Sequence, residues 1–111
     1  PLVQHYAQSV PHCGQMGQEI VWVERDKIRL RQPFFEHLIG DLDRRLIHTS
    51  VLLTMVDSGF GAAVLNGLRK METIATMDLR MDYFRPAVAD QDLYLDAHVE
   101  RVRRQVVFVS G

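Results

Sequence analysis

One carboxylate stands in an otherwise apolar stretch of this chain. From residue 47 to residue 65 the sequence reads IHTSVLLTMVDSGFGAAVL, where Asp57 is the only formal charge and His48 the only other group that can gain one. An ionised carboxylate in a buried helix is costly unless something pairs with it or uses it. Asp57 is therefore a hydrogen-bonded structural residue, a residue at a solvated edge of the helix, or a catalytic base or nucleophile.

The composition is that of one small globular domain. The chain has 111 residues, of which 47% are hydrophobic and 24% charged, with a net charge of −1. That balance lacks the basic footprint of a nucleic-acid binder. The apolar run at 51–65 is short and interrupted, so we expect no membrane span. The basic cluster at 101–104 is either a solvated surface or a binding site for a phosphorylated ligand.

Cysteine and histidine usage narrows the chemistry further. The single cysteine, Cys13, can form no intrachain disulfide, which favours a reducing, cytoplasmic location. The five histidines are scattered without ligand spacing. We therefore expect no metal and no separate cofactor.

The N-terminal part of the chain predicts a hairpin. The first 20 residues are mixed, with a short helix expected near the start and a break at Pro11–Gly14. Alternating residues at 20–25 and 28–30 then flank a turn at Asp26–Lys27, which is typical of two paired strands. Residues 33–43 are expected to be a connection with a turn at Gly40–Asp41.

The central stretch predicts a helix over residues 49–65. Thr49 or Ser50 can cap its first turn through a hydroxyl. Apolar residues then occupy nearly every face, and this pattern is typical of a buried helix.

Three strands are predicted after the helix. Apolar and polar residues alternate over 75–84 until Arg85–Pro86, alternate again over 93–99, and resume at 106. Three successive strands favour an antiparallel meander. The whole is predicted to be a single α+β domain over 1–111, with a curled antiparallel sheet wrapped around one long helix. So small a sheet cannot cover the helix on all sides, which predicts a homo-oligomer, at least a dimer.

Several segments together resemble the PaaI-type hotdog-fold acyl-CoA thioesterases. They are HTSVLLTMVDSGFGAA, TMDLRMDYFRPA and DQDLYLDAHVERVRRQVVFV, preceded by VPHCGQMG and LIGD. The resemblance covers about 12–111, and the family pattern continues for one more strand, so the C-terminal strand is expected to be truncated here. It implies a dimer or tetramer with active sites between subunits.

The resemblance also implies roles for individual residues. Asp57 matches the helix carboxylate that acts on a thioester as general base or nucleophile. His48 matches the histidine just before the helix, and Thr76 matches a hydroxyl that positions the water or the carboxylate from the partner subunit. Asp41 is the nearest match to a polar residue that assists upstream of the histidine.

The helix start departs from the family pattern. Two glycines normally follow the histidine, where a backbone N–H polarises the thioester carbonyl, but this chain has Thr49 and Ser50. Their N–H groups still allow an oxyanion hole, whereas their side chains can narrow the acyl slot.

The sequence therefore predicts hydrolysis of an acyl-CoA to a free acid and CoA. The alternative is a non-catalytic hotdog module that binds acyl-CoA or only dimerises, with activity lost through Thr49–Ser50. A hydratase acting on the acyl chain ranks last, because no matching Asp/His motif is present.

Overall fold

One antiparallel sheet and one long helix dominate the molecule. The structure is a computed structural model that describes residues 9–68 and 72–111. In chain order its elements are α1 (Pro11–Met16), β1 (Glu19–Val23), β2 (Lys27–Gln32), a 3-10 turn (Glu36–Leu38), β3 (Ile39–Asp41), β4 (Leu46–Ile47), α2 (Thr49–Leu68), β5 (Leu93–Val102) and β6 (Val107–Ser110). The order of the large sheet is β1-β2-β5-β6, and β3 pairs with β4 alone. The predicted α+β hotdog class is confirmed.

The core lies between the sheet and α2. The alternation read from the sequence buries Ile28 and Leu30 of β2 completely, because successive strand residues point to opposite faces. On the helix side the matching surface is made of small residues, chiefly Ala62 and Ala63. Small side chains let the sheet approach the helix closely, and at Gly59 the side chain of Leu95 occupies the space a Cβ would need.

The helix α2 is buried on one face only. Val51, Met55 and Ala62 are buried, whereas Leu53 on the other side remains 44% exposed. The expectation of a helix buried all round is therefore wrong for a single copy of the chain. The helix also extends to residue 68 rather than 65.

Length and composition alone would let α2 cross a membrane. The core helix of a soluble protein meets the same two criteria, and α2 packs against β2, β5 and β6. This helix is therefore weak evidence for a membrane span.

The clearest alternation of the sequence forms no strand within one chain. Residues 72–84 have no ladder partner, so the strand predicted at 75–84 and the three-stranded meander are not observed. Alternation reports that a segment has two faces, but a strand also needs a neighbour to accept its hydrogen bonds. Met77 is 82% exposed and Phe84 94% exposed. This surface is therefore open in the single chain.

Two turn predictions near the N-terminus need correction. The expected break at Pro11–Gly14 is the helix α1, which Pro11 starts because the first helical position needs no N–H donor. The helix ends at Gly17, whose φ of 75° lies in the left-handed region. The short helix expected at the very start falls on residues 1–8, outside the described residues.

The expected turn at Gly40–Asp41 is also displaced. Both residues belong to β3, and the chain reverses over the following residues so that Asp41 pairs with Leu46 of β4. Arg45 adopts a φ of 53° there and is held by Glu36 and Asp90, each 2.8 Å from its guanidinium. This small sheet delivers the chain directly into α2.

Candidate functional site

His48 caps the N-terminus of α2. Its Nδ1 accepts the backbone N–H of Ser50 at 3.1 Å and lies 2.8 Å from the Ser50 hydroxyl. An Nδ1 that accepts an N–H places the proton of a neutral ring on Nε2. The predicted caps, Thr49 and Ser50, are therefore replaced by the residue before them, and Ser50 is a donor to that cap.

The helix start leaves one backbone donor without a partner. The N–H of Val51 donates to the carbonyl of His48 at 3.0 Å, and the N–H of Ser50 is used by the imidazole. Within the described residues, the N–H of Thr49 has no acceptor. Of the two N–H groups predicted to form an oxyanion hole, Thr49 is thus available and Ser50 is occupied.

A cavity of about 560 Å³ opens at this end of α2. Its lining residues are Gly40, Asp41, Leu46, Ile47, His48, Thr49, Leu52, Tyr83, Phe84, Arg85, Pro86 and Ala87. Most of these side chains are apolar, and the titratable groups among them sit on β3, at the helix start and on the segment before β5. The shape and composition are typical of a small-molecule site.

Gly40 sets the position of His48 against this cavity. A Cβ at Gly40 would lie 2.8 Å from the imidazole Cδ2 and 3.1 Å from the His48 Cα. The N–H of His48 is fixed as well, since it donates to the carbonyl of Leu38 at 2.9 Å. The imidazole is therefore held from both its backbone and its side chain.

Asp41 lies in the cavity wall and is already paired. Its Oδ1 accepts the backbone N–H of Arg44 at 3.1 Å, and its Oδ2 lies 4.0 Å from the Arg44 Nε. The structure thus places Asp41 in the lining of the same cavity as His48 and Thr49.

Arg85 also lines this cavity. Its place is fixed by the residues that follow it, because Ile47 donates its N–H to the carbonyl of Ala87 at 2.8 Å and Leu46 bridges to Val88. Ala89 donates its N–H to the carbonyl of Arg45 at 3.0 Å. Residues 87–89 therefore run alongside the approach to α2 and present Arg85 to the cavity.

Asp57 and Thr76 form a separate pair farther along α2. The Thr76 hydroxyl donates to Asp57 Oδ1 at 2.6 Å, and Oδ2 has no partner among the residues that the structure describes. Asp57 is exposed in the single chain, so the burial cost argued from the sequence does not arise there. The carboxylate is held by one oxygen and open at the other.

The six predicted site residues fall into two groups. One group lies at the helix start, where Asp41, His48 and Thr49 line the cavity and Ser50 contacts His48, and the other is the pair of Asp57 and Thr76. Eight residues separate Thr49 from Asp57, which is about 12 Å along a helix axis at 1.5 Å per residue. A single chain therefore does not bring the carboxylate to the cavity.

Two residues of the site escaped sequence reasoning. No site role was predicted for either one: Arg85 was interpreted as the end of a strand and Gly40 as part of a turn, although both lie in segments that carry the family resemblance. The proximity of Arg85 to Pro86 after an alternating segment was a further available signal. In the described parts of the chain, 9–68 and 72–111, no three side chains of the metal-ligating types cluster together.

The chain is similar in sequence to known proteins. The family model of the Thioesterase superfamily matches residues 45–111. A candidate esterase of Halobacterium salinarum is 33% identical over 107 residues, covering 91% of this chain and 68% of that protein.

Solved structures share the fold. A crystal structure of a Pseudomonas aeruginosa protein superposes with a TM-score of 0.84 at 27% identity, covering 96% of this chain and 79% of that one. A variant of the phenylacetic acid degradation protein PaaI from Thermus thermophilus superposes with a TM-score of 0.72 at 22% identity, covering 85% of this chain and 76% of that one.

Proposed function

Because this chain belongs to the thioesterase superfamily, we propose that it hydrolyses an acyl-CoA to a free acid and CoA. The observation that carries the proposal is the carboxylate of Asp57, held through Oδ1 by Thr76 with Oδ2 open. An oxygen left open in this way can accept a proton from water or attack a carbonyl carbon. Coenzyme A enters as part of the substrate, so no separate cofactor is needed.

The site is proposed to be shared between two copies of the chain. A two-fold dimer has an isologous interface, in which residue i of one copy meets residue j of the other and the reverse. If two α2 helices run antiparallel across such an axis, Asp57 of each copy faces the helix start of the other. The separation of about 12 Å within one chain is then spanned by pairing, and each dimer has two equivalent sites.

In the proposed reaction the thioester carbonyl lies at the start of α2. The free N–H of Thr49 donates to the carbonyl oxygen as it gains negative charge, which is where a preorganised donor lowers the barrier most. As a general base, Asp57 takes a proton from water while the water oxygen bonds to the carbonyl carbon. As a nucleophile, Asp57 itself attacks that carbon and forms an anhydride, which water then hydrolyses. The C–S bond breaks, and the CoA sulfur leaves as a thiolate that takes up a proton.

His48 is proposed to position the backbone donor of the neighbouring Thr49. Its imidazole holds the Ser50 N–H and borders the cavity, so it fixes the loop that carries the Thr49 donor. Asp41 is proposed to assist from the same wall. A cytoplasmic location accompanies the proposal, since the buried Cys13 is a free thiol.

A second candidate function is acyl-CoA binding without hydrolysis. The occupied N–H of Ser50 favours it, since one of the two expected oxyanion donors is not available. Loss of one such donor typically lowers kcat by about 100- to 1,000-fold.

The reaction class is tested with wild-type protein and a panel of thioesters. Thiol release is followed for aryl-, short-chain and medium-chain acyl-CoA, with the matching oxygen esters and an enoyl-CoA as comparison substrates. We expect thiol release above the uncatalysed rate for at least one acyl-CoA and no water addition to the enoyl-CoA. Tight binding of acyl-CoA without thiol release would support the second candidate instead.

A further inference from the structure

Arg85 is the one cavity-lining cation, and it has no partner in the described structure. The charged side chains of the lining are Asp41 and Arg85. Asp41 is paired with Arg44, whose Nε lies 4.0 Å from its carboxylate. No carboxylate of the described ranges makes a salt bridge or hydrogen bond with the Arg85 guanidinium. The guanidinium of Arg85 is therefore available to an anion that enters the cavity.

Apolar residues share the cavity with this charge. Leu46, Leu52 and Phe84 line it together with Pro86, and Arg85 itself is exposed, so an incoming anion can reach its guanidinium. The planar guanidinium also matches the two oxygens of a carboxylate or phosphate.

The position of Arg85 is built into the fold. Pro86 fixes the backbone dihedral that follows it, and Ala87 accepts the N–H of Ile47 one residue before His48. Arg85 and the helix start are thus tied to each other through adjacent backbone. A ligand that reaches the Thr49 N–H lies in the same cavity as the guanidinium.

We infer that Arg85 binds an anionic oxygen group of the substrate and thereby selects which thioesters the cavity accepts. The inference deepens the proposed function, because the class of ligand rests on that proposal. In an acyl-CoA two groups have this chemistry, namely the phosphates of CoA and a carboxylate at the far end of the acyl chain.

Binding of ligands that cannot turn over tests this without requiring catalysis. Four thioethers form the set: S-butyl-CoA, S-carboxypropyl-CoA and the two corresponding pantetheine thioethers, which lack the phosphates. Dissociation constants are measured by calorimetry for the wild type, Arg85→Gln and the control Arg25→Gln. Arg25 is exposed in the turn between β1 and β2, so its substitution removes the same charge away from the cavity.

The pattern of affinity loss shows which anionic group Arg85 binds. If Arg85 binds the CoA phosphates, Arg85→Gln weakens both CoA ligands about tenfold or more and leaves the pantetheine ligands unchanged. If Arg85 binds an acyl carboxylate, Arg85→Gln weakens binding of the carboxypropyl thioethers of both CoA and pantetheine. Arg25→Gln is expected to match the wild type throughout.

The inference is overturned if Arg85→Gln binds all four ligands as the wild type does, or if the wild type binds none of them. Circular dichroism of each variant checks that the fold is retained. A protein that shows either selective loss but releases no thiol from any acyl-CoA would retain this inference and reject the hydrolysis proposed above.

Discussion

At the start of α2 an imidazole does what a Ser, Thr, Asp or Asn side chain usually does at a helix N-terminus. His48 accepts the N–H of Ser50 at 3.1 Å, and this bond holds the ring beside the cavity. The same contact serves stability and positioning, so a simple deletion of the side chain cannot separate the two roles. A substitution that keeps the cap and removes the imidazole can separate them.

The cap is tested with His48→Ala and His48→Asn. We expect His48→Ala to lose about 1 kcal/mol of unfolding free energy, because it removes the acceptor for the Ser50 N–H. His48→Asn is expected to recover most of that loss, since an Asn oxygen caps well. Urea unfolding of the three proteins measures this difference. Equal stability of all three would show that the Nδ1 contact does not stabilise the helix.

Between elements, an exposed bidentate ion pair joins β2 to β5. Arg29 donates from Nε and an Nη to the two oxygens of Asp96 at 2.6 and 2.9 Å. The rings of Trp22 and Tyr94 lie 5.5 and 5.7 Å from its guanidinium carbon. The hydrogen bonds from Arg29 hold the pKa of the Asp96 carboxyl below its ordinary value of 3.8.

The lowered pKa of Asp96 makes the stability of the fold depend on pH, and the direction of the pKa shift fixes the direction of that dependence. A carboxyl whose pKa is lower in the folded chain stabilises the fold above its unfolded pKa, and the benefit disappears as pH falls through the folded value. Wild-type protein is therefore expected to exceed Asp96→Asn in urea midpoint at pH 7. The gap should begin to narrow near pH 3.8 and close in stronger acid.

Urea titrations of both proteins across this pH range measure the gap. Glu100→Gln serves as the comparison, because the pKa of Glu100 is also lowered, by the hydroxyl of Ser110 and by His98. A gap between wild type and Asp96→Asn that is the same at every pH would contradict the assigned cause.

At the scale of the whole molecule, the residues at 9–68 and 72–111 leave one side of α2 and the neighbouring segment uncovered. Thr76 meets Asp57 in the middle of the helix, and Tyr83 borders the cavity at its start, so residues 76–83 run back along α2. Apolar side chains on this surface, such as Leu53 and Met77, are 44% and 82% exposed. An exposed apolar surface beside an unpaired segment is typical of an interface.

A dimer through this surface is expected to be required for activity. Sedimentation of the wild type should give twice the mass of the chain, and Met77→Asp should shift it to the single chain and lower thiol release with it. Val102→Asp, which places the same charge on a residue 51% exposed at the end of β5, should leave both unchanged. A wild type that sediments as a single chain at full activity would exclude the shared site.

A strand could be predicted correctly from the sequence where the segment that pairs with it lies in the same chain. The alternation at Ile28 and Leu30 predicted a strand correctly, because β5 of the same chain pairs with it. The equally regular alternation at 75–84 did not, because none of the residues that the structure describes pairs with it. Local periodicity specifies faces, and pairing depends on the rest of the assembly.

The candidate site, like the fold, could be predicted only in part from the sequence. The resemblance predicted that Thr76 positions the water or the carboxylate from the partner subunit, whereas the structure joins Thr76 to Asp57 of the same chain by a hydrogen bond of 2.6 Å. The cap by His48 and the role of Gly40 depend on side-chain distances that spacing cannot supply. Arg85 was missed because an arginine before a proline reads as the end of a strand unless the cavity beside it is known.

The central claim concerns one carboxylate, and the steady-state rate of thiol release tests it most directly. Asp57→Asn keeps an oxygen that can accept the Thr76 hydroxyl but can neither take a proton nor attack a carbonyl. We expect its kcat to fall by at least about 100-fold, while Asp26→Asn, an exposed turn residue, retains the wild-type rate. An Asp57→Asn protein that releases thiol as fast as the wild type would contradict the account.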